Sequence, residues 1–388
     1  MKLDDLRKEI NDIDGEMLQL FLKRMEICKS IALYKKENDL PIMQEGREQQ
    51  VIDKVRAASP EHMADAAAVM FTEVMDISKC LQSEVYTWGR IYEKPEIFHP
   101  ENAQVIACQG TSGAYAEAAC IKLFGENKPI RFVTGFKDVV DLVERGRADF
   151  GILPLENSTV GSIEETYNLM ANHDFYITNI VRVEITHCFA VKPDTDPADV
   201  RKVYSKKEAL AQCSNYIKNC GYEPAEYTNT ALAAEMVRDS TDNTIGCICS
   251  KSCAEKNGLK IVEEHAADAY PNFTRFICFS KKFMAPEGAN TISVSFSVPH
   301  TPGGLYRILT KFAVYGLNLK KIVNKTLAGK DFEAIIFLDF DGSYANRKVA
   351  AFLDDLKSGM GYFKFLGNFS EIYLSLIHIS EPTRQAEI

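Results

Sequence analysis

The sequence predicts a chain of three modules that differ in class: an all-α segment first, an α/β module in the middle and a small α+β module last. Three observations carry this prediction. Apolar residues keep helical spacing through Trp88, short apolar runs alternate with helical stretches from Gln104 onward, and a strand-like alternation opens the last segment at Thr291. A chain of 388 residues is also too long for one core.

The first helix covers residues 3 to 36, where Leu6, Ile10, Ile13, Met17, Leu20 and Phe21 hold the period and only Gly15 weakens it. Pro41-Ile42-Met43 interrupts it, a second helix starts near Gly46, and a third covers Met63 to Trp88. The stretch YEKPEIFHPEN, Tyr92 to Asn102, carries two prolines and no periodicity and reads as a linker. Beyond it, Val105 to Cys108, Phe150 to Leu153, Cys188 to Val191, Ile245 to Cys249 and Arg275 to Phe279 predict strands of a largely parallel sheet with helices on its faces. A second linker, Lys281 to Asn290, leads to Thr291–Val298, a helix after Pro302, two strands, a helix and a last strand, the order β-α-β-β-α-β. Domains are therefore expected at 1–92, 103–280 and 290–374. Residues 375–388, SLIHISEPTRQAEI, fit no element and resemble translated adapter or vector sequence, so a non-native tail is expected there.

A formal charge of -9 and the lack of any Lys/Arg block exclude nucleic acid as the main partner, while local cationic pockets for small anions remain open. MKLDDLRKEIND lacks the apolar core of a signal peptide, and no window approaches the roughly 20 apolar residues of a membrane span. Eleven cysteines, an odd number, then read as reduced thiols in the cytoplasm. Cys247, Cys249 and Cys253 lack zinc-site spacing and are expected as buried thiols, with no metal and no organic cofactor required.

In the helical module, Arg7 and Lys35 would lie about 42 Å apart on one straight helix, so they cannot hold the same small molecule within one chain. Arg24 and Lys35 are separated by close to three turns and share a face; Ser78 and Gln82 are i, i+4 neighbours, and Arg47 and Glu48 open the second helix. Taken together, Arg7, Arg24, Lys35, Arg47 and Glu48, followed by Ser78 and Gln82 behind FTEVMDI, resemble the all-helical class of chorismate mutase. Chorismate is a dicarboxylate, and guanidinium groups bind carboxylates through paired hydrogen bonds. The resemblance implies that Lys35 and Gln82 face the ether oxygen where charge builds, and that Ser78 belongs to the binding set. Arg24, Arg47 and a partner chain's Arg7 would hold carboxylates, and Glu48 the ring hydroxyl. It also implies a homodimer or higher homo-oligomer. Gln44 stands where the family often has Asp.

In the central module, DFGILPLENSTVGS, Asp149 to Ser162, sets Glu156, Asn157, Ser158 and Thr159 directly behind an apolar run that breaks at Pro154. Ligands of open α/β sheets bind beyond the carboxyl ends of strands, and a polar strand-to-helix loop has the same composition. QGTSGAYAEAA (Gln109 to Ala119) places backbone N–H groups at a helix start, and VYSKKEALAQC (Val203 to Cys213) and NFTRF (Asn272 to Phe276) place polar groups at element ends. Together these stretches resemble prephenate dehydratase, which implies a two-lobed α/β fold of the periplasmic-binding-protein type. It further implies Thr274 as a hydrogen-bond donor to the leaving hydroxyl, with Glu156, Asn157, Ser205 and Gln212 shaping the pocket. Arg275 is either a carboxylate ligand or structural. Lys206-Lys207-Glu208 replaces the family's His-Pro-Gln, and His187, at the edge of an apolar run, reads as structural.

The last module resembles the ACT regulatory domain, a ferredoxin-like α+β fold, through FSVPHTPGGLYRILTKFAVYGLNLKKI. An amino-acid effector, phenylalanine, would sit by Gly303, Gly304, Leu305 and Asn324. Val323-Asn324-Lys325-Thr326 replaces the family's Glu-Ser-Arg-Pro, removing a carboxylate and exchanging Arg for Lys. The whole pattern predicts a bifunctional enzyme taking chorismate to prephenate and prephenate to phenylpyruvate. An arogenate-using dehydratase and a non-catalytic sensor on a helical dimerisation stalk are the alternatives.

Overall fold

The computed structural model describes residues 2–42, 46–90, 94–298, 301–326 and 334–373. Gln44 and the expected tail, residues 375–388, lie outside the described residues. The chain forms two compact units: the segment up to Lys94 with Thr291–Phe365, and Pro95–Asn290 with the chain from Leu366.

The first unit contains α1 (Leu3–Glu37), α2 (Arg47–Ala58) and α3 (Ala64–Thr87). With alanines at its start and no Gly or Pro to break it, α3 runs without interruption. Its sequence also provides two buried faces. Ser78 and Gln82 occupy one; Asp76 and Cys80 occupy another, and Cys80 sits in a core cluster with Val294, Phe312, Tyr315 and Phe352. The helical and C-terminal segments, separate modules by sequence pattern, therefore share a core. The C-terminal segment runs as strand Thr291–Ser297, helix Gly304–Tyr315, strands Leu319–Thr326 and Ala334–Asp341, helix Arg347–Ser358 and a strand from Phe363. Strand Ala334–Asp341 pairs antiparallel with both of its neighbours, Val294 and Ile322 each lying opposite Leu338.

Most of α1 is packed only at its C-terminal end, where Met25, Cys28, Ala32 and Lys35 are buried. The residues that carry its helical period, Leu6, Ile10, Ile13, Met17 and Leu20, are exposed.

The second unit holds two sheets. One has the strand order Lys260–Glu263, Cys188–Val191, Ile245–Cys249, Lys202–Ser205, Glu223–Glu226. In the other, the part of the last strand from Leu366 is followed by Tyr176–Glu184, Phe273–Ser280, Phe150–Asn157, Ile106–Gln109 and Ile130–Val133. The expected largely parallel sheet is thus corrected to two mixed ones. The chain crosses from one sheet to the other after Glu184 and returns before Phe273, so Phe273–Ser280 begins at the end where Phe150–Asn157 and Tyr176–Glu184 finish. It must run antiparallel to both, as its register shows. Nor are the linkers free: Glu96–Ile97 pairs with Met284–Ala285, and Phe98 packs edge-on against Phe124 and Phe150.

The apolar run at 150 does not break at Pro154. The strand continues to Asn157: Pro154 stays in register opposite Phe276, and the register shift directly after it leaves Leu155 as the extra residue.

Candidate active sites

A cavity of about 460 Å³ opens in the second unit, within the range of small-molecule sites. Its walls come from both sheets, with Asn157, His187, Lys206, Gln212 and Thr274 among the lining residues. Asn157 organises one wall. Its Oδ1 accepts from the backbone N–H groups of Thr159 and Val160, at 2.9 and 3.0 Å, closing a turn that brings Gly161–Ser162 back against the strand. Its Nδ2 donates to Asn272 Oδ1 at 2.8 Å and to Thr274 Oγ1 at 3.0 Å. The polar residues after the apolar run are there to fasten that strand end to NFTRF: Ser158 Oγ accepts from the Phe273 N–H at 2.9 Å.

From Asn272 the network crosses to the other sheet. Asn272 Nδ2 donates to Gln212 Oε1 at 3.3 Å, and the same oxygen lies 2.8 Å from His187 Nε2. His187 is 3% exposed and Tyr115 reaches its ring, with the phenol donating to Thr186 O at 2.6 Å. Burial lowers the His187 pKa below 6.5 against the opposing pull of Gln212, and burial pushes the Tyr115 phenol well up. Both groups are neutral near pH 7 and serve as hydrogen-bonding walls. A histidine kept neutral in the fold costs stability once the unfolded chain takes up a proton. Stability should therefore decline as pH falls below about 6.5, down to the lowered folded pKa, and His187→Asn should remove that part of the decline in denaturant titrations.

Three expected pocket residues are not in the cavity. Successive strand residues face opposite ways, so with Asn157 and Thr274 inward, their neighbours Glu156 and Arg275 turn to the other face. There Arg275 binds Glu156 at 2.5 Å and Glu371 through Nε at 3.0 Å and Nη2 at 3.1 Å. The expectation that Glu156 shapes the pocket is thereby corrected, and Arg275 takes its structural alternative. Ser205 is fully buried with its hydroxyl donating to Ile248 O at 2.7 Å, which ties the first strand end of VYSKKEALAQC to its neighbour.

The sequence reading assigned no pocket role to His187, Asn272 or Lys206, yet His187 and Lys206 line the cavity and Asn272 bonds to Gln212. Lys206, in the N-cap position of helix Lys207–Gln212, is the one Lys or Arg among the described lining residues, and its partner Glu208 is 3.4 Å away. The signal was its place directly before a helix that ends in Gln212.

Of the expected helical residues, Arg24, Lys35, Ser78 and Gln82 lie on α1 and α3. Arg24 donates to Ser78 Oγ and, at 3.2 Å, to Val74 O; Lys36 reaches Val85 O at 3.4 Å, so the two helices run parallel here. Lys35 is buried and donates to Ile42 O at 2.6 Å, and burial lowers its pKa below 10.5. Gln82 is buried on α3, and its Oε1 has no hydrogen-bond partner among the described residues. Glu48 lies across α3, 3.0 Å from Lys79 and 3.0 Å from Arg307. Arg47 is exposed at the start of α2. Arg7 is also exposed, paired with Asp4 one turn away at 3.3 Å, and the structure does not bring it to the others.

In the C-terminal segment Gly303, Gly304 and Leu305 line an open cavity of about 530 Å³ beside Thr301 and Tyr306. Gly303 takes φ 78°, a left-handed conformation glycine adopts without strain, which starts the helix. Asn324 is exposed on strand Leu319–Thr326 and is not among the lining residues.

Comparison with known proteins gives the family. The chorismate mutase type II model matches residues 6–83, and the prephenate dehydratase model matches residues 106–283. The bifunctional chorismate mutase/prephenate dehydratase of Aquifex aeolicus is 29% identical over 381 residues, 96% of this chain and 99% of that protein. The chain belongs to the bifunctional chorismate mutase/prephenate dehydratase family. It is an enzyme of phenylalanine biosynthesis with both activities, an isomerase and a lyase. Arogenate dehydratase/prephenate dehydratase 1 of Arabidopsis thaliana is 30% identical over 278 residues, 68% of this chain and 71% of that protein. Among solved structures, the prephenate dehydratase of Arthrobacter aurescens in complex with L-Phe superposes with a TM-score of 0.63 at 26% identity, covering 69% of this chain and 89% of that one. A chain described as GqqA, a novel type of quorum quenching acylase, has a TM-score of 0.62 at 28% identity, covering 69% and 97%. The matches place a helical chorismate mutase domain before an α/β prephenate dehydratase domain. Among the described residues, no helix is long and apolar enough to cross a membrane.

Proposed function

We propose that chorismate binds between α1 and α3 and that prephenate binds in the cavity bordered by Thr274. In the first site the rearrangement breaks the ether C–O bond as a C–C bond forms, with no covalent enzyme intermediate. The protein holds the reactive conformer and stabilises the oxygen that gains charge. Lys35 and Gln82 supply that stabilisation, Glu48 receives the ring hydroxyl, and Arg24 and Arg47 hold carboxylates, with Ser78 fixing Arg24. Arg7 of a second copy completes the set. The exposed apolar residues Leu6, Ile10, Ile13, Met17 and Leu20 on the same half of α1 support a homodimer in which that half finds its packing.

In the second site the bond to the ring carboxylate breaks, its electron pair moves into the ring, and hydroxide leaves from the opposite carbon as the ring becomes aromatic. One observation carries the assignment: Thr274 Oγ1 accepts from Asn157 Nδ2, which leaves the threonine proton to be donated into the cavity. A threonine is too weak an acid to give that proton up early, so it acts as a positioned donor to the departing hydroxide. Lys206 binds a substrate carboxylate in the role first given to Arg275. Lys206→Gln should raise KM for prephenate about tenfold with kcat little changed, as loss of a charge-assisted contact predicts, and Lys206→Arg should restore it. A KM unmoved by Lys206→Gln would show that the carboxylate binds elsewhere.

The turn at Gly303, Gly304 and Leu305 is the proposed phenylalanine site, supported by its cavity and by the relative solved with L-Phe. Supplying chorismate to the purified protein and following prephenate and phenylpyruvate, with and without phenylalanine, tests both reactions and the control. Arogenate offered in parallel reports the substrate preference, and absence of phenylpyruvate would overturn the second assignment.

A further inference from the structure

Helix Gly304–Tyr315 starts at the glycine turn and packs on α3. One turn into it, Arg307 enters a set of alternating charges. Its Nε and Nη2 hold the two carboxylate oxygens of Asp76, both at 2.8 Å, and Nη2 also lies 3.0 Å from Glu48 Oε2. Lys79 closes the set from α3, 2.6 Å from Asp76 and 3.0 and 3.1 Å from the two oxygens of Glu48. Asp76 is 1% exposed. Burial alone would disfavour its charge, but hydrogen bonds and charge from Arg307 and Lys79 outweigh that and hold its pKa below 3.8. The buried anion thus anchors two cations, and both present donors to Glu48. Thr310 Oγ1, donating to Glu73 at 3.0 Å, and the Tyr315 phenol, donating to Cys80 O at 3.2 Å, fasten the same helix along α3.

We propose that Arg307, from the C-terminal module, is a positioning residue of the mutase reaction: with Lys79 and Asp76 it sets the Glu48 carboxylate. This rests on the reading of Glu48 as the partner of the chorismate ring hydroxyl. Two oxygens held by donors on two different helices cannot swing to another rotamer, so the carboxylate is pre-set before substrate arrives. The geometry also makes the mutase site a product of residues more than two hundred positions apart in sequence. A lysine at 307 would carry the charge without the planar fork that spans Asp76 and Glu48 together.

A double-mutant cycle in the full-length chain tests this. Arg307→Gln should lower mutase kcat/KM about tenfold, the scale of a lost charge-assisted hydrogen bond, with native helical circular dichroism and a retained cooperative unfolding transition as the folding control and dehydratase rates on supplied prephenate unchanged. Arg307→Lys should fall between Gln and the native residue. In a Glu48→Ala background the Arg307→Gln loss should vanish, because its target is gone. An undiminished loss in that background, or full mutase activity in Arg307→Gln, overturns the positioning role. Full mutase activity in Glu48→Ala alone would instead overturn the assignment of Glu48, and the proposal with it.

Discussion

Thr274→Ala should abolish phenylpyruvate formation while chorismate is still consumed at the native rate. The expected loss is ~10²–10³-fold, the effect of removing one pre-set donor from a developing negative charge. Thr274→Ser should keep most of the rate, because the hydroxyl can still accept from Asn157 and donate to the substrate, whereas Thr274→Val should resemble Ala despite its matching shape. The two reactions are separable because the residues proposed for them lie in different compact units: Lys35 and Gln82 in the first, Thr274 and Asn157 in the second. Equal loss of both activities in a folded Thr274→Ala protein would show that the sites are not independent. The measurement is simple: prephenate should accumulate from chorismate in the variant.

The second large effect is expected at Lys35. Lys35→Ala should reduce mutase turnover by ~10²–10³-fold, since a buried cation facing an oxygen that gains charge acts without the screening of water. Dehydratase activity on added prephenate should be untouched. Mixing Lys35→Ala chains with Arg7→Ala chains, after subunit exchange, should restore part of the mutase rate, because a mixed dimer contains one site with both native residues. Failure of that recovery, with exchange verified, would mean that Arg7 does not serve the neighbouring chain. A readout of assembly state belongs with it, as the apolar half of α1 is expected to be covered in solution.

Much of the site was legible in the sequence because local order brings its parts together. Arg24 and Lys35 share a face by helical period, Ser78 and Gln82 by the i, i+4 relation, and Asn157 and Thr274 sit at strand ends marked by the change from apolar to polar residues. The expected residues that turn away from the cavity are immediate neighbours of ones that line it. Glu156 and Arg275 flank Asn157 and Thr274, and in a strand one step along the chain is a change of face. Which face meets the cavity is decided by what packs against each side, and a sequence of mixed polar residues does not encode that. Ser205 was lost in the same manner: its hydroxyl satisfies Ile248 O on the next strand rather than a ligand. Lys206, one residue on, is the group that reaches the cavity.

The domain boundaries show the same division. The linker stretches around 95 and 285 mark changes of period, yet Glu96–Ile97 and Met284–Ala285 pair with each other as strands. The apolar residues of α3 gave no sign that Cys80 would enter a core with Phe312 and Phe352.

By itself the amino-acid order determined where the long helices and the most apolar strands form, which family the chain resembles and which side chains are chemically suited to dicarboxylate substrates. All of these follow from residue type and spacing over short distances. Only the tertiary structure decided that the sheets are mixed, that Glu156 and Arg275 bind each other, that Lys206 lines the cavity and that Arg307 reaches Glu48. Each of those outcomes depends on contacts between distant segments, whose geometry is set by how buried faces pack and how buried charges find partners.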